Sequence, residues 1–285
     1  LALARRLRLV CRLLEGGLVF VVAGSVLAVA SVRPWAYVPL WIASLGIGVL
    51  LALRGATIRD LRRHLGPVRL TLQTTGHWIA GASGTETAWS LDLGQRTWPR
   101  GPLLLPGLAL LGWAVVLSPL SVSARDTWRG LAFLASALIL HVAAGAVFVS
   151  RRARRRFQVI VVGLGLLVAV VALVQLASGT TLIYGVLPAL EQGKTVKFGP
   201  FVNRNHFATY MLMMVPACMG LLARTYHDRL GGRPGLRPLL LTLSTPEGSR
   251  LFYASIPVLV TAGALLATRS RAGLLVFAVV LVLSA

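Results

Sequence analysis

Acidic residues are scarce in this chain: only 8 Asp and Glu occur among 285 residues, and charged residues of both signs make up 13% of the total. A soluble domain carries about one-quarter charged residues, so disordered, fibrous and ordinary globular proteins are excluded together. Cysteine is nearly absent as well. Cys11 and Cys218 lie in or beside apolar runs, with no CxxC and no Cys/His spacing of a zinc site, and read as buried small hydrophobes. The motifs of soluble enzymes are missing: there is no GxxxxGKS or GxxxxGKT, no HExxH, no GxSxG, and no GxGxxG after a strand.

What is abundant is apolar and basic. Hydrophobic residues reach 56%, the mean hydropathy is +0.77, and 29 Lys and Arg give a formal charge of +21. On a soluble protein that charge would point to nucleic acid. Here it is confined to short runs between long apolar segments, where orientation in a bilayer with anionic lipid accounts for it. Membrane lipids are therefore the expected partner and nucleic acid is not.

A membrane-crossing helix needs about 20 mainly apolar residues. That ruler yields eight segments: Glu15 to Val32, Trp35 to Leu53, Pro102 to Leu120, Trp128 to Val149, Phe157 to Ala177, Phe207 to Ala223, Leu251 to Thr268, and Ala272 to Ala285. The expected fold is all-α, a polytopic transmembrane helical bundle forming one integral membrane domain over 1–285. Arg5, Arg6, Arg8 and Arg12 before an apolar run ending in Ala28-Val29-Ala30 resemble a signal peptide, but seven further spans favour an uncleaved helix. The chain starts at Leu1, and its last apolar stretch ends at Ala285 without a basic flank, so it reads as a fragment at both ends.

Basic residues orient the bundle. With the N-terminus inside, the segments 1–14, 54–101, 150–156 and 224–250 are cytoplasmic and hold 21 of the 29 Lys and Arg. The other eight, Arg33, Arg125, Arg129, Lys194, Lys197, Arg204, Arg269 and Arg271, fall outside. The outside loop 178–206 and the cytoplasmic loop 54–101 are the longest connections. Within the latter, Ile58, Leu61 and Leu65 among Arg59, Arg62 and Arg63 suit a short helix lying on the membrane surface. Trp78, Trp89 and Trp98 suit interfacial anchors. One helix over Leu251 to Ala285 would bury Arg269 and Arg271 in hydrocarbon, at about 2.5 kcal/mol or more each, so the segment is expected to break there into a hairpin.

The residues with chemical potential sit outside. Asn203, Arg204, Asn205 and His206 put two amides, a guanidinium and an imidazole in succession at the mouth of a helix. Asn205 is the expected N-cap, which leaves the other three unexplained. Helix N-termini favour anions, and Arg binds phosphate with a two-pronged fork. Arg204, with Arg269 and Arg271 on the same face, therefore points to a phosphate or diphosphate. Arg125 reads as a surface pair neutralised by Asp126, and His141 as a structural histidine within a span.

These strings resemble a known family. FGPFVNRNHFATYMLMMVP resembles the Phe-Gly-x-Phe-x-Asn-x-Asn-His-Phe-Ala segment of bacterial O-antigen ligases and Wzy-type polysaccharide polymerases. TRSRAGLLVF is similar to the element that opens their shared core, from about residue 251 onward, and LSPLSVSARDTWRGL and GTTLIYG look like the segments before it. The resemblance covers roughly Leu103 to Ala285. It implies a multispanning bacterial inner-membrane glycosyltransferase of the metal-independent C-type, needing no cofactor, with its active face periplasmic. Such enzymes move a glycan from an undecaprenyl diphosphate carrier to an acceptor: the lipopolysaccharide core, another lipid-linked glycan, or a protein. By position, Arg204 and Arg271 would bind the donor diphosphate with Arg269 assisting, and Asn203, Asn205 and His206 would shape the site. The family's candidate base, a His in a large periplasmic loop, is expected beyond residue 285. Asp126 and Glu191 are the only carboxylates placed outside, too few and too dispersed for a divalent metal. The alternatives are a transporter or flippase of lipid-linked sugars, for which buried charges and paired helix repeats are lacking in the sequence, and a structural membrane subunit.

Overall fold

In hydrocarbon every backbone polar group must be satisfied within the segment, so long apolar runs become helices. The computed structural model describes residues 2–27, 34–66, 69–72, 78–80, 89–92, 103–149, 151–186, 198–230 and 246–284. Over these the chain forms α1 (Ala2–Leu27), α2 (Pro34–Leu65), α3 (Leu104–Leu117), α4 (Ala124–Val147), α5 (Arg151–Ser178), α6 (Arg204–Leu230), α7 (Pro246–Ala267) and α8 (Arg271–Ser284). Six of them, α1, α2 and α4 to α7, are long and apolar enough to cross a bilayer, which makes this a multi-pass membrane protein. The two shorter helices are α8, with 14 residues, and α3, whose apolar stretch reaches 17 residues when its 3-10 turn to Leu120 is included. The helices present large apolar side chains outward, Leu105 at 77% and Val116 at 68% exposed, as a lipid-facing surface does.

Three features depart from the sequence reading. The helices run past the apolar windows into the basic flanks: α1 includes Arg5 to Arg12, and α5 starts at Arg151. The surface helix expected over Thr57 to Leu65 is instead the continuation of α2, because Ile58 and Leu61 pack against Leu7 and Cys11 of α1. The expectation of an all-α chain also meets a local exception in the loop after α2. There β1 (Arg69–Leu72) pairs antiparallel with β2 (Trp78–Ala80) and β3 (Trp89–Asp92), and Leu72 stands opposite Trp78 on one side and Trp89 on the other. Trp78 and Trp89 are thus strand residues, while Trp98 lies outside the described residues.

The chain divides into two compact units, one of residues 1–22 and 37–153, the other of 23–36 and 154–285. In the first, Val10, Leu14, Leu18 and Val21 of α1 meet Leu40, Ile47 and Leu51 of α2 and Ala143 and Ala146 of α4. At one end of this unit Tyr37, Trp41 and Phe133 form a ring cluster, with the Arg129 guanidinium 5.5 Å from the centre of the Tyr37 ring. Asp126 pairs with Arg129 at 3.6 Å, and not with its neighbour Arg125 as the sequence suggests, because i and i+3 share a helix face whereas i and i+1 do not.

In the second unit α5 and α6 run antiparallel. The Gln158 amide donates to the Ala217 carbonyl at 3.2 Å, and Gly165 lets α5 approach so closely that a Cβ there would lie 2.9 Å from the Met214 sulfur. Further along, α5 contributes Val168, Ala169 and Ala172 to a core with Phe207, Met211 and Met214 of α6 and Ala264 and Leu265 of α7. Prolines 39, 216 and 257 sit inside α2, α6 and α7, as membrane helices tolerate.

Candidate anion site at two helix N-termini

The start of α6 is set by an aromatic turn. Phe198 and Phe201 exchange backbone hydrogen bonds of 3.2 and 3.0 Å, and Gly199 between them holds φ at +59°, a region that disfavours any residue with a Cβ. Phe198 stacks on Phe207 at 5.3 Å between centroids, Phe201 meets the same ring edge-on at 5.7 Å, and Phe201 stacks on Tyr210 at 5.5 Å. This plug is buried against α5, where Gly199 lies beside Val168 and Ala172. It anchors the chain on the bundle just before the helix and so decides where the helix begins.

The helix begins two residues earlier than Asn205 as N-cap would require. Asn203 is the cap: its Oδ1 accepts the Asn205 N–H at 2.8 Å, and its carbonyl accepts from Phe207 N–H at 3.2 Å. Arg204 is the first helical residue, and Asn205 and His206 complete the first turn. With Phe207 drawn into the aromatic plug, all four of Asn203, Arg204, Asn205 and His206 are exposed. The Asn205 carbonyl accepts from the Thr209 hydroxyl at 3.0 Å, while its side chain is not used in capping.

The second arginine tip is a tight turn. The helix stops at Ala267 and restarts at Arg271, so the break expected between the last two apolar runs occurs. Thr268 and Ser270 are buried and do the fastening. The Thr268 hydroxyl donates to the Leu265 carbonyl at 2.7 Å and accepts from Ser270 N–H at 3.1 Å. Ser270 caps α8 by accepting from Gly273 N–H at 3.3 Å. Their burial turns Arg269 and Arg271 to the surface, and Arg269 has φ of +51°, in the left-handed region.

The two tips come together at a pair of small residues. A Cβ on Gly273 would lie 3.0 Å from the Cβ of Ala208, so α8 touches α6 in the second turn of the latter. Phe277, further along α8, packs against the same core cluster that holds Met211 and Met214. Helix dimensions then keep the Cα atoms of Arg204 and Arg271 within about 18 Å of each other. Neither helix has an acidic residue in its first turn. Two adjacent helix N-termini, each opening on an arginine, form an electropositive end with no acidic residue of their own first turns to offset it.

The segment after α5 belongs to this same unit and end. The Gln175 amide donates to the Leu182 carbonyl at 2.7 Å, and the Tyr184 hydroxyl donates to the Leu27 carbonyl. Burial pushes the Tyr184 phenol above its ordinary pKa. Lys194 and Lys197 lie outside the described residues, as does Arg33, and His141 belongs to the other unit. Sequence reasoning named the arginines and missed the residues that juxtapose them, Ala208, Thr268, Ser270 and Gly273. The signal for them was small and hydroxyl residues at the ends of apolar runs, as close helix contacts in membranes require. Comparison of the chain with protein-family models, with curated proteins and with solved structures finds no match.

Proposed function

We propose that this protein is an inner-membrane glycosyltransferase that moves a glycan from an undecaprenyl diphosphate carrier to an acceptor on the periplasmic face, of the O-antigen ligase or polysaccharide polymerase type. The observation that supports it most is the contact of Gly273 with Ala208, which draws together two helix N-termini headed by Arg204 and Arg271. An arginine at a helix N-terminus opposes the macrodipole by about 0.3–1 kcal/mol. Two side by side are favourable only with a polyanion between them, and a diphosphate at headgroup level is such a ligand.

In this reading Arg204 and Arg271 hold the diphosphate, Arg269 reaches it from the turn, and Asn203, Asn205 and His206 line the exposed first turn of α6 where the sugar is presented. The acceptor oxygen forms a bond to the anomeric carbon as the carbon–oxygen bond to phosphate breaks, and the electron pair leaves with the diphosphate. The acceptor's hydroxyl proton passes to a general base that the family resemblance puts outside these residues. Negative charge grows on the leaving group in the transition state, and arginines fixed there stabilise it most when it is largest.

The test is a pair of substitutions at Arg271. Arg271→Lys keeps the charge and removes the fork, so glycan transfer should fall nearly as far as in Arg271→Ala. Transfer is measured from a purified undecaprenyl diphosphate glycan, normalised to membrane-inserted protein, with and without a chelator. Full activity in the Lys variant would refute the diphosphate clamp, since a lysine can snorkel to headgroups as well as an arginine can. Loss of activity on chelation would refute the metal-independent mechanism.

A further inference from the structure

The first unit carries a second cationic surface that the proposed transfer reaction does not use. The inner side of α1 is buried through Leu7, Cys11, Leu14 and Leu18. At 3.6 residues per turn, Arg5, Arg6, Leu9, Arg12, Leu13, Gly16 and Phe20 all fall within about 120° on the opposite side. The structure shows that whole strip to be open: the three arginines are exposed, Leu9, Leu13 and Phe20 are 59%, 50% and 61% exposed, and nothing lies within 4 Å of a Cβ built on Gly16.

The pairing of α1 with α2 makes this arrangement rigid. A Cβ on Gly17 would lie 3.3 Å from Ile47, and Leu7 and Cys11 share a core with Ile58 and Leu61. The two helices therefore stay packed antiparallel along the length of the arginine strip. Among the described residues, Arg5, Arg6 and Arg12 have no acidic partner.

We infer that this face of α1 is a binding site for one anionic phospholipid, with the phosphate held among Arg5, Arg6 and Arg12 and an acyl chain lying along Leu9 and Leu13 over the notch at Gly16 toward Phe20. The order of groups decides the class of partner. Three arginines toward the start of the strip, with Leu9 among them, and Leu13, Gly16 and Phe20 beyond the last of them match a lipid, charged head and apolar tail on one axis. A soluble acidic protein or a free phosphate would use the guanidinium groups alone and make no contact with Leu9 and Leu13, which lie on the same face beside them. Basic clusters at the end of a membrane helix attract anionic headgroups in the same way.

Native mass spectrometry and thermal unfolding of the purified protein in a neutral maltoside detergent, with dioleoyl phosphatidylglycerol or dioleoyl phosphatidylcholine added, test the site. The wild type should retain phosphatidylglycerol, be stabilised by it, and discriminate against phosphatidylcholine. Replacing Arg5, Arg6 and Arg12 by Gln should weaken retention by about tenfold or more. Leu9→Ser with Leu13→Ser should weaken it as well while leaving the response to inorganic pyrophosphate unchanged. Arg271→Ala should leave lipid retention intact, which separates this inference from the diphosphate reading of the other unit. Equal retention of the two lipids, wild-type retention in the triple Gln variant, or a lipid response untouched by the serine pair would overturn it. So would a poly-glutamate peptide that competes with the lipid and is insensitive to the serine pair, since the surface would then be a protein-docking face.

Discussion

Arg269 is held where an arginine does not belong, and removing it should make the protein more stable. Its φ of +51° lies in the left-handed region, which costs a residue with a Cβ about 1–2 kcal/mol. Glycine escapes that strain but loses about 0.5–1 kcal/mol more chain entropy on folding. The difference leaves Arg269→Gly more stable by about 0.5–1 kcal/mol. The turn itself survives the change, because its hydrogen bonds come from the backbone and from Thr268 and Ser270. For a chain of this size the gain corresponds to a rise in Tm of about 1–4 °C. Arg269→Ala retains the Cβ and the strain, so it should show no such rise. Thermal unfolding of the three proteins in one detergent measures the difference, and titration with an undecaprenyl diphosphate analogue measures what the side chain does. The expected pattern is opposition: Arg269→Gly is the more stable protein and the weaker binder. Equal Tm values for the Gly and Ala variants would refute the strain argument. Undiminished affinity in Arg269→Gly would show that the strain is not kept for the ligand.

Two further expectations concern the architecture. Gly273→Ala sets a methyl 3.0 Å from the Ala208 methyl, and overpacking of about 1–3 kcal/mol outweighs the gain of about 1 kcal/mol in helix propensity. The variant should unfold at lower temperature and bind a diphosphate more weakly, and Ala208→Gly in the same chain should recover part of both; additive losses in the double variant would refute the contact. The inside assignment of the N-terminus is tested by cysteine labelling in intact cells, with little background because Cys11 and Cys218 are buried. Thr181→Cys should react from outside and Ser249→Cys only after permeabilisation, and the reverse pattern would overturn the active face.

The membrane class, the approximate helix positions and the break before Arg271 were all legible in the amino-acid order. Each follows from a one-dimensional quantity: the length of an apolar run, or the presence of a charge where hydrocarbon would surround it. The candidate arginines were legible for the same reason, since a cation at the mouth of a helix is conspicuous without any knowledge of its neighbours. What the order alone misread depended on contacts between distant segments. Asn203, not Asn205, caps α6 because Phe201 and Phe207 pack together and pull the helix start forward. The stretch Thr57 to Leu65 is not a separate surface helix because Leu7 and Cys11 offer Ile58 and Leu61 a partner. The strands after α2 exist only as a set, since β2 and β3 are both held through β1 and do not pair with each other. The approach of Arg204 to Arg271 belongs to the same class: it is decided by two residues, Ala208 and Gly273, whose smallness matters only because one helix lies against the other.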